Sequence, residues 1–329
     1  MKVGIVGAGT MGGAHARAWQ ATDATLVGVT AKRQSSAASL AEAIGMNVYN
    51  SYEELLNDVD IIDICTPTDL HKEMVLKAAS ADKHIICEKP IALTVEDAEE
   101  MIAACDKAGV RLFIAMVVRF FPQYRRAQQA VANGQLGDLG VIRLKRVSYQ
   151  PLGDELWFTD ESRSGGLLVD LMLHDFDYAR WLAGKVERVY AKSVRSQDPA
   201  APSDYALVTL SFENNCKALI EGGWAYPAGT FRVGMDIAGE DGVLEWSSDD
   251  SQTIKPFLKP TESAGVARVG IPSSGVEDPY TTEIKHAYDA IKHNAPFLVT
   301  AEDGLEALRI ALAAKESLKT GQPVSLGGD

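Results

Sequence analysis

Residues 7–12 read Gly7-Ala8-Gly9-Thr10-Met11-Gly12. They follow the β-branched run Val3 to Val6 directly and open a helical pattern from Thr10 to Gln20. In a strand–turn–helix of this kind the first glycine makes the tight turn. The second lets a ligand's phosphates approach the backbone, and the third lets helix and strand pack closely. The helix N-terminus then offers unpaired N–H groups and a partial positive charge to an anion. The spacing alone is a weak signal; at the end of a first strand it predicts a dinucleotide pyrophosphate site carried by Gly7, Gly9, Thr10, Met11 and Gly12. A glycine-rich turn without a ligand is the alternative.

The next hundred residues repeat the strand–helix alternation. Strands are expected at Leu26–Val29, Ile61–Cys65, His84–Cys87 and Leu112–Met116, and helices at Ser35–Ile44, Leu70–Ala79 and Thr94–Ala108. Short connections between alternating elements imply a doubly wound parallel sheet of the Rossmann type. The pattern changes near residue 119. A helix at Gln123–Ala132 precedes strand-like runs at Val141–Tyr149, Val186–Val194, Tyr205–Phe212, Cys216–Trp224, Phe231–Ala238 and Gly242–Trp246, with one long helix at Gly165–Leu182. Two helices, Tyr280–His293 and Ala301–Leu318, close the chain, and residues 248–279 read as loop. The expected division is a dinucleotide-binding Rossmann domain over 1–118 and an α+β domain over 119–329 with an open, mostly antiparallel sheet, for substrate binding and oligomerisation.

The end of the second strand should select the cofactor. NAD sites place an acid there, about 20 residues on, to hold the ribose hydroxyls. Here the sequence is Val29-Thr30-Ala31-Lys32-Arg33, and no acid occurs from Ala24 to Ala41. Thr30, Lys32 and Arg33 are therefore cofactor candidates, and a basic pair suits a 2′-phosphate, predicting NADP over NAD. A solvent-facing basic loop is the other reading.

Charge narrows the partners. Lys plus Arg number 32 and Asp plus Glu 45, a net charge of −13. The acid excess is spread along the chain, which argues against nucleic acid and anionic membranes as partners. Cys65, Cys87, Cys105 and Cys216 show no metal or redox spacing and are expected as free thiols. Met1-Lys2 leads straight into the first strand and no apolar run approaches membrane-spanning length, so a soluble cytoplasmic protein is expected.

Cys87-Glu88-Lys89-Pro90, after the His84–Cys87 strand, resembles with the glycine turn the Gfo/Idh/MocA family (glucose–fructose oxidoreductase/inositol dehydrogenase). Thr66-Pro67-Thr68-Asp69-Leu70-His71 resembles that family's loop beside the cofactor. Gly165-Gly166-Leu167-Leu168-Val169-Asp170-Leu171-Met172-Leu173-His174 resembles its active-site helix. The resemblance implies NAD(P)-linked oxidation or reduction of a sugar, cyclitol or related polyol, and a homodimer or homotetramer paired through the second sheet. It adds Thr66, Thr68, His71, Glu88 and Lys89 to the cofactor candidates. It also implies Lys89, Asp170 and His174 as catalytic residues, and Arg119, Tyr124, Trp157, Phe158 and Arg163 on the substrate side.

Alcohol oxidation requires loss of the hydroxyl proton, and an imidazole titrating near neutrality suits that step. Asp170 and His174 are i and i+4, so on one continuous helix the carboxylate would orient the imidazole. A helix-surface ion pair or metal ligands remain the alternatives. Lys89 lies past the C-terminal end of a parallel strand, where ligands bind; its ammonium can hold the reacting oxygen, with Glu88 setting its position through an ion pair. An ordinary Lys-Pro surface turn is the bland reading, as core or interdomain contact is for Arg119, Tyr124, Trp157, Phe158 and Arg163. His15 is read as packing or cofactor-adjacent. No His, Asp and Glu grouping suggests a metal site. The loops Pro151–Arg163 and Trp246–Asp278 are expected to shape the pocket. A glycosidase that uses transient oxidation and a non-catalytic cofactor sensor remain rival functions.

Overall fold

A computed structural model describes residues 1–149, 157–195, 204–227, 230–249, 255–258 and 278–326. The first strands and helices are β1 (Lys2–Val6), α1 (Thr10–Trp19), β2 (Thr25–Thr30), α2 (Gln34–Ile44), β3 (Asn47–Val48), α3 (Tyr52–Asp58), β4 (Ile61–Ile64), α4 (His71–Ser80), β5 (His84–Glu88), α5 (Val95–Ala108) and β6 (Leu112–Ala115). The six strands form one parallel sheet in the order β3-β2-β1-β4-β5-β6. Strand order reverses between β1 and β4, and ligands of such sheets bind at that reversal, outside the carboxyl ends of the strands. The glycine turn follows β1 and the Thr66 loop follows β4.

Local chemistry sets the element ends. Thr94 caps α5 by accepting the Asp97 N–H, and Gly109 ends it at φ +68°, a left-handed position that glycine adopts without a Cβ clash. β3 and α3 were not read from the sequence. Ser51 accepts the Glu54 amide while the Glu54 carboxylate accepts that of Asn50, which is close to a capping box.

The remaining elements are α6 (Pro122–Ala132), β7 (Leu139–Ser148), α7 (Glu161–Ser164), α8 (Leu167–Asp170), α9 (Leu173–Ala183), β8 (Val186–Arg195), β9 (Asp204–Phe212), β10 (Lys217–Gly223), β11 (Phe231–Gly239), β12 (Gly242–Ser247), β13 (Lys255–Leu258), α10 (Pro279–Lys292), α11 (Ala301–Thr320) and β14 (Val324–Ser325). The second sheet runs β13-β12-β11-β7-β10-β9-β8-β14 and is antiparallel except at β7–β10. Helices α8 and α9 pack on one face. The other face exposes Val194, Leu207 and Leu219.

Two segments differ from their sequence reading. Within the segment read as loop, Lys255–Leu258 pairs with β12 as β13. Pro256 lacks a backbone donor, which masks the strand pattern but is tolerated at a sheet edge. The long helix expected from Gly165 to Leu182 is two helices. Gly165 and Gly166 hold φ +80° and +77°, and the chain breaks again at Leu171–Met172, where the Met172 amide reaches back five residues to the Leu167 carbonyl. Residues 151–156, 250–254 and 259–277 of the proposed pocket loops lie outside the described residues.

Contacts divide the chain into a unit of residues 1–120, 162–164 and 277–308 and a unit of 121–161, 165–276 and 309–329. In the first, Trp19 meets Tyr288 of α10 edge to face, and Phe297 packs against Phe113 and under the Arg111 guanidinium. Among the described residues no helix is long and apolar enough to cross a membrane. The four cysteines are unbridged.

Candidate active site

The glycine turn has the shape its spacing predicts. Gly7 holds φ +105°, and a Cβ there would lie 2.3 Å from the Cys65 carbonyl oxygen. A Cβ at Gly12 would lie 2.0 Å from the Gly7 oxygen, so α1 and β1 pack too closely for any side chain. A Cβ at Gly9 would meet nothing within 4 Å among the described residues outside the adjoining chain. This residue caps α1 with no side chain over it, and the first turn carries no acid. Thr10 is exposed and Met11 half-buried. An open backbone at an uncovered helix N-terminus fits a pyrophosphate.

The flanking loops frame the turn. The Thr30 carbonyl accepts the Gly7 amide at 2.9 Å, and Thr30 itself is buried. Lys32 and Arg33 are exposed between β2 and α2, whose first turn also lacks an acid. After β4, Thr66 is half-buried and Thr68 buried, its hydroxyl without a hydrogen-bond partner among the described residues. The His71 imidazole is fully buried, with Nδ1 at 2.9 Å from the Pro90 oxygen and Nε2 at 3.0 Å from the Thr66 oxygen. Burial pushes it below its ordinary value, against the pull of the two carbonyls. His71 thus ties the Thr66 loop to the Lys89-Pro90 turn, whose peptide bond is cis.

Lys89 is half-buried directly after β5. The sequence leads to an expected ion pair between Glu88 and the Lys89 side chain. In the structure the Glu88 carboxylate accepts the Lys89 backbone N–H at 3.0 Å and faces His15 Nε2 at 3.1 Å. His15 in turn lies 3.0 Å from both Asp63 oxygens, and Trp19 donates to Asp63 at 2.7 Å. Asp63 and the buried Glu283 of α10 are the members of this group that sequence reasoning missed. The signal was present for Asp63, a carboxylate within Ile61-Ile62-Asp63-Ile64, the otherwise apolar part of an expected strand. The donor atoms of His15, Asp63 and Cys65 lie within 4.8 Å of one another, but hydrogen bonds among them and from Trp19 already engage them.

In the second unit, Asp170 ends α8 and His174 lies in the first turn of α9, both buried. The break between them removes the continuous-helix argument for their pairing. The first turn of α9 is held from the sheet. Arg146 of β7 donates from Nε and Nη2 to the two Asp175 oxygens at 2.7 and 3.1 Å, with both side chains almost wholly buried. Burial opposes the guanidinium charge, but Asp175 and Tyr124 together more than offset it and hold Arg146 above its ordinary value. Tyr124 lies 3.4 Å from Arg146, and its carbonyl accepts the Tyr178 hydroxyl, so Tyr124 is core.

The other substrate-side candidates divide. Arg119 is buried and donates to the Leu298 carbonyl and Asp303, an anchor within the first unit. Arg163 pairs with Asp69 at 2.9 Å. Trp157 and Phe158 stack with ring centroids 3.8 Å apart. Phe158 also lines a cavity of about 340 Å³ with Leu167, Leu168, Trp224, Asp204 and Lys319.

Comparison with known proteins identifies the family of both parts of the chain. Residues 1–116 match the family described as "Oxidoreductase family, NAD-binding Rossmann fold", and residues 128–326 its "C-terminal alpha/beta domain". A myo-inositol 2-dehydrogenase of Thermotoga maritima is 30% identical over 99% of this chain and 98% of its own. A scyllo-inositol 2-dehydrogenase (NADP(+)) of Bacillus subtilis is 28% identical over 85% and 83%. The crystal structure of a probable dehydrogenase from Thermotoga maritima superposes with a TM-score of 0.83 at 28% identity, covering 99% of each chain. The chain therefore belongs to the Gfo/Idh/MocA family of NAD-binding oxidoreductases.

Proposed function

We propose that this protein is an NADP-preferring oxidoreductase that interconverts a secondary alcohol and ketone on a sugar, sugar derivative or cyclitol. The observation that carries the cofactor half is the open backbone at Gly9 on an uncovered helix N-terminus. The polyol class rests on the inositol dehydrogenases among its relatives. When bound, the nicotinamide supplies the two-electron acceptor or donor. Gly7, Gly9, Thr10, Met11 and Gly12 hold the pyrophosphate, with Thr66 and Thr68 beside it, and Thr30, Lys32 and Arg33 meet the adenosine ribose. His71 shapes the cofactor loop through its two carbonyl contacts. Lys89 hydrogen-bonds the reacting oxygen, and His174 takes its proton during oxidation and returns it during reduction; the role of Asp170 in orienting His174 rests on the family resemblance. Trp157 and Phe158 offer ring faces to the substrate. Homodimer or homotetramer pairing uses the open sheet face that exposes Val194, Leu207 and Leu219.

Cofactor preference gives a sharp test. A charge-assisted hydrogen bond contributes about 1.5–3 kcal/mol, roughly ten- to a hundred-fold in affinity. Titration should therefore give NADP a Kd at least about tenfold below that of NAD, and Lys32→Ala with Arg33→Ala should erase the difference. A comparable preference for NAD in the unsubstituted protein contradicts the NADP assignment. Glycoside cleavage without net nicotinamide reduction contradicts the dehydrogenase assignment.

A further inference from the structure

A buried polar group lies behind Lys89 and is absent from the function proposed above. His15 and Asp63 are wholly buried and Glu88 nearly so, at 6% exposed. A carboxylate so desolvated requires a counter-charge and filled hydrogen-bond positions. His15 supplies the first, between Asp63 at 3.0 Å and Glu88 at 3.1 Å. The Lys89 amide fills one of the second, at 3.0 Å.

The surroundings favour a charged imidazole. Asp63 and Cys65 face His15 from β4, Glu88 from β5, and Glu283 and Tyr280 from α10, with Asp278 acting on Glu283 from that helix's cap. Trp19 on α1 supplies a neutral donor to Asp63. Burial pulls His15 down, yet Asp63 and Cys65 raise it well above its ordinary value. Burial raises Glu283 well above its ordinary value, which disfavours its charged form. Asp63 and Glu88 flank the His15 ring, one at each nitrogen.

We infer that His15 is a positioning residue: held by Asp63, it keeps the Glu88 carboxylate on the Lys89 amide and so fixes the backbone that carries Lys89. This inference rests on the catalytic role proposed for Lys89. It gives α1 a second duty, because the helix that opens at the phosphate turn also sets the Lys89 turn.

Exchange of the Lys89 amide, followed by NMR, tests the inference without a substrate. In His15→Phe the amide should exchange about tenfold faster while amides of β1, β4 and β6 stay within twofold, since local openings need not follow global stability. His15→Gln, which keeps a donor, should lie between wild type and His15→Phe; should His15→Phe not fold, His15→Gln carries the comparison. Glu88→Gln alone should accelerate the Lys89 amide, and adding the His15 substitution to it should change little more, because the two act in series. Unchanged exchange, acceleration that multiplies in the double variant, or equal acceleration throughout the sheet overturns the inference. Turnover of myo-inositol, scyllo-inositol and glucose with NADP by Lys89→Ala separates the two layers. If that variant matches wild type, the role of Lys89 fails, whereas the exchange result reports on His15 alone.

Discussion

Lys89→Ala is expected to lower turnover by about 10²–10⁴-fold while the fold and cofactor binding persist, and His174→Ala to do the same. On an energy scale this is about 3–5 kcal/mol of transition-state stabilisation. The lysine is half-buried at a strand end, outside the core, so its loss removes chemistry with little packing. The phosphate turn is formed by other residues, so the Kd for the cofactor should stay within a few-fold. His174 is buried, and His174→Asn, closer in size and polarity, guards against a packing effect there. Steady-state kinetics with cofactor titration and a melting curve for each variant check the expectation. Normal turnover in both variants removes the proposed site.

The second large effect is on stability. Arg146→Ala or Asp175→Ala should each cost about 3–5 kcal/mol, because either leaves a buried charge without its partner. Replacing both, as Arg146→Met with Asp175→Leu, should cost much less than the sum of the single changes, since no charge is then stranded. Urea unfolding reads both results from shifts in midpoint at constant slope. The pair also fixes the first turn of α9. The double variant should therefore retain stability yet lose turnover, because His174 immediately precedes the replaced Asp175. Additive costs in the cycle mean that the two side chains contribute independently.

What the sequence reveals follows from how local its causes are. Gly7 and Gly12 are legible because backbone geometry demands them, through a positive φ at one and the Gly7 oxygen against a Cβ at the other, and Gly9 because a side chain there would bar a ligand; Glu88-Lys89-Pro90 is legible through the family resemblance and its place at a strand end. The alternation of short strands and helices is also local, and it gives the parallel sheet. The break at Leu171–Met172 is less accessible. An apolar segment with no proline gives little sign that the Met172 amide will reach back to Leu167, and the expected face shared by Asp170 and His174 depends on that step. β13 is hidden by Pro256, and β3 by its length of two residues. Arg119 and Arg146 could not be assigned as anchors because Asp303 and Asp175 lie 184 and 29 residues away in sequence. Asp63 is legible in the sequence itself. A lone carboxylate inside an apolar strand implies a buried partner, and His15 supplies it from 48 residues earlier.

The central claim is redox chemistry on a polyol hydroxyl through Lys89. Nicotinamide absorbance, followed for wild type and Lys89→Ala across inositols, sugars and keto-sugars with NADP and with NAD, tests it most directly. The account predicts net cofactor reduction or oxidation with at least one polyol or keto-sugar, faster with NADP, and its near-complete loss in Lys89→Ala. Cofactor binding without turnover across the panel, or turnover that Lys89→Ala leaves intact, would contradict it.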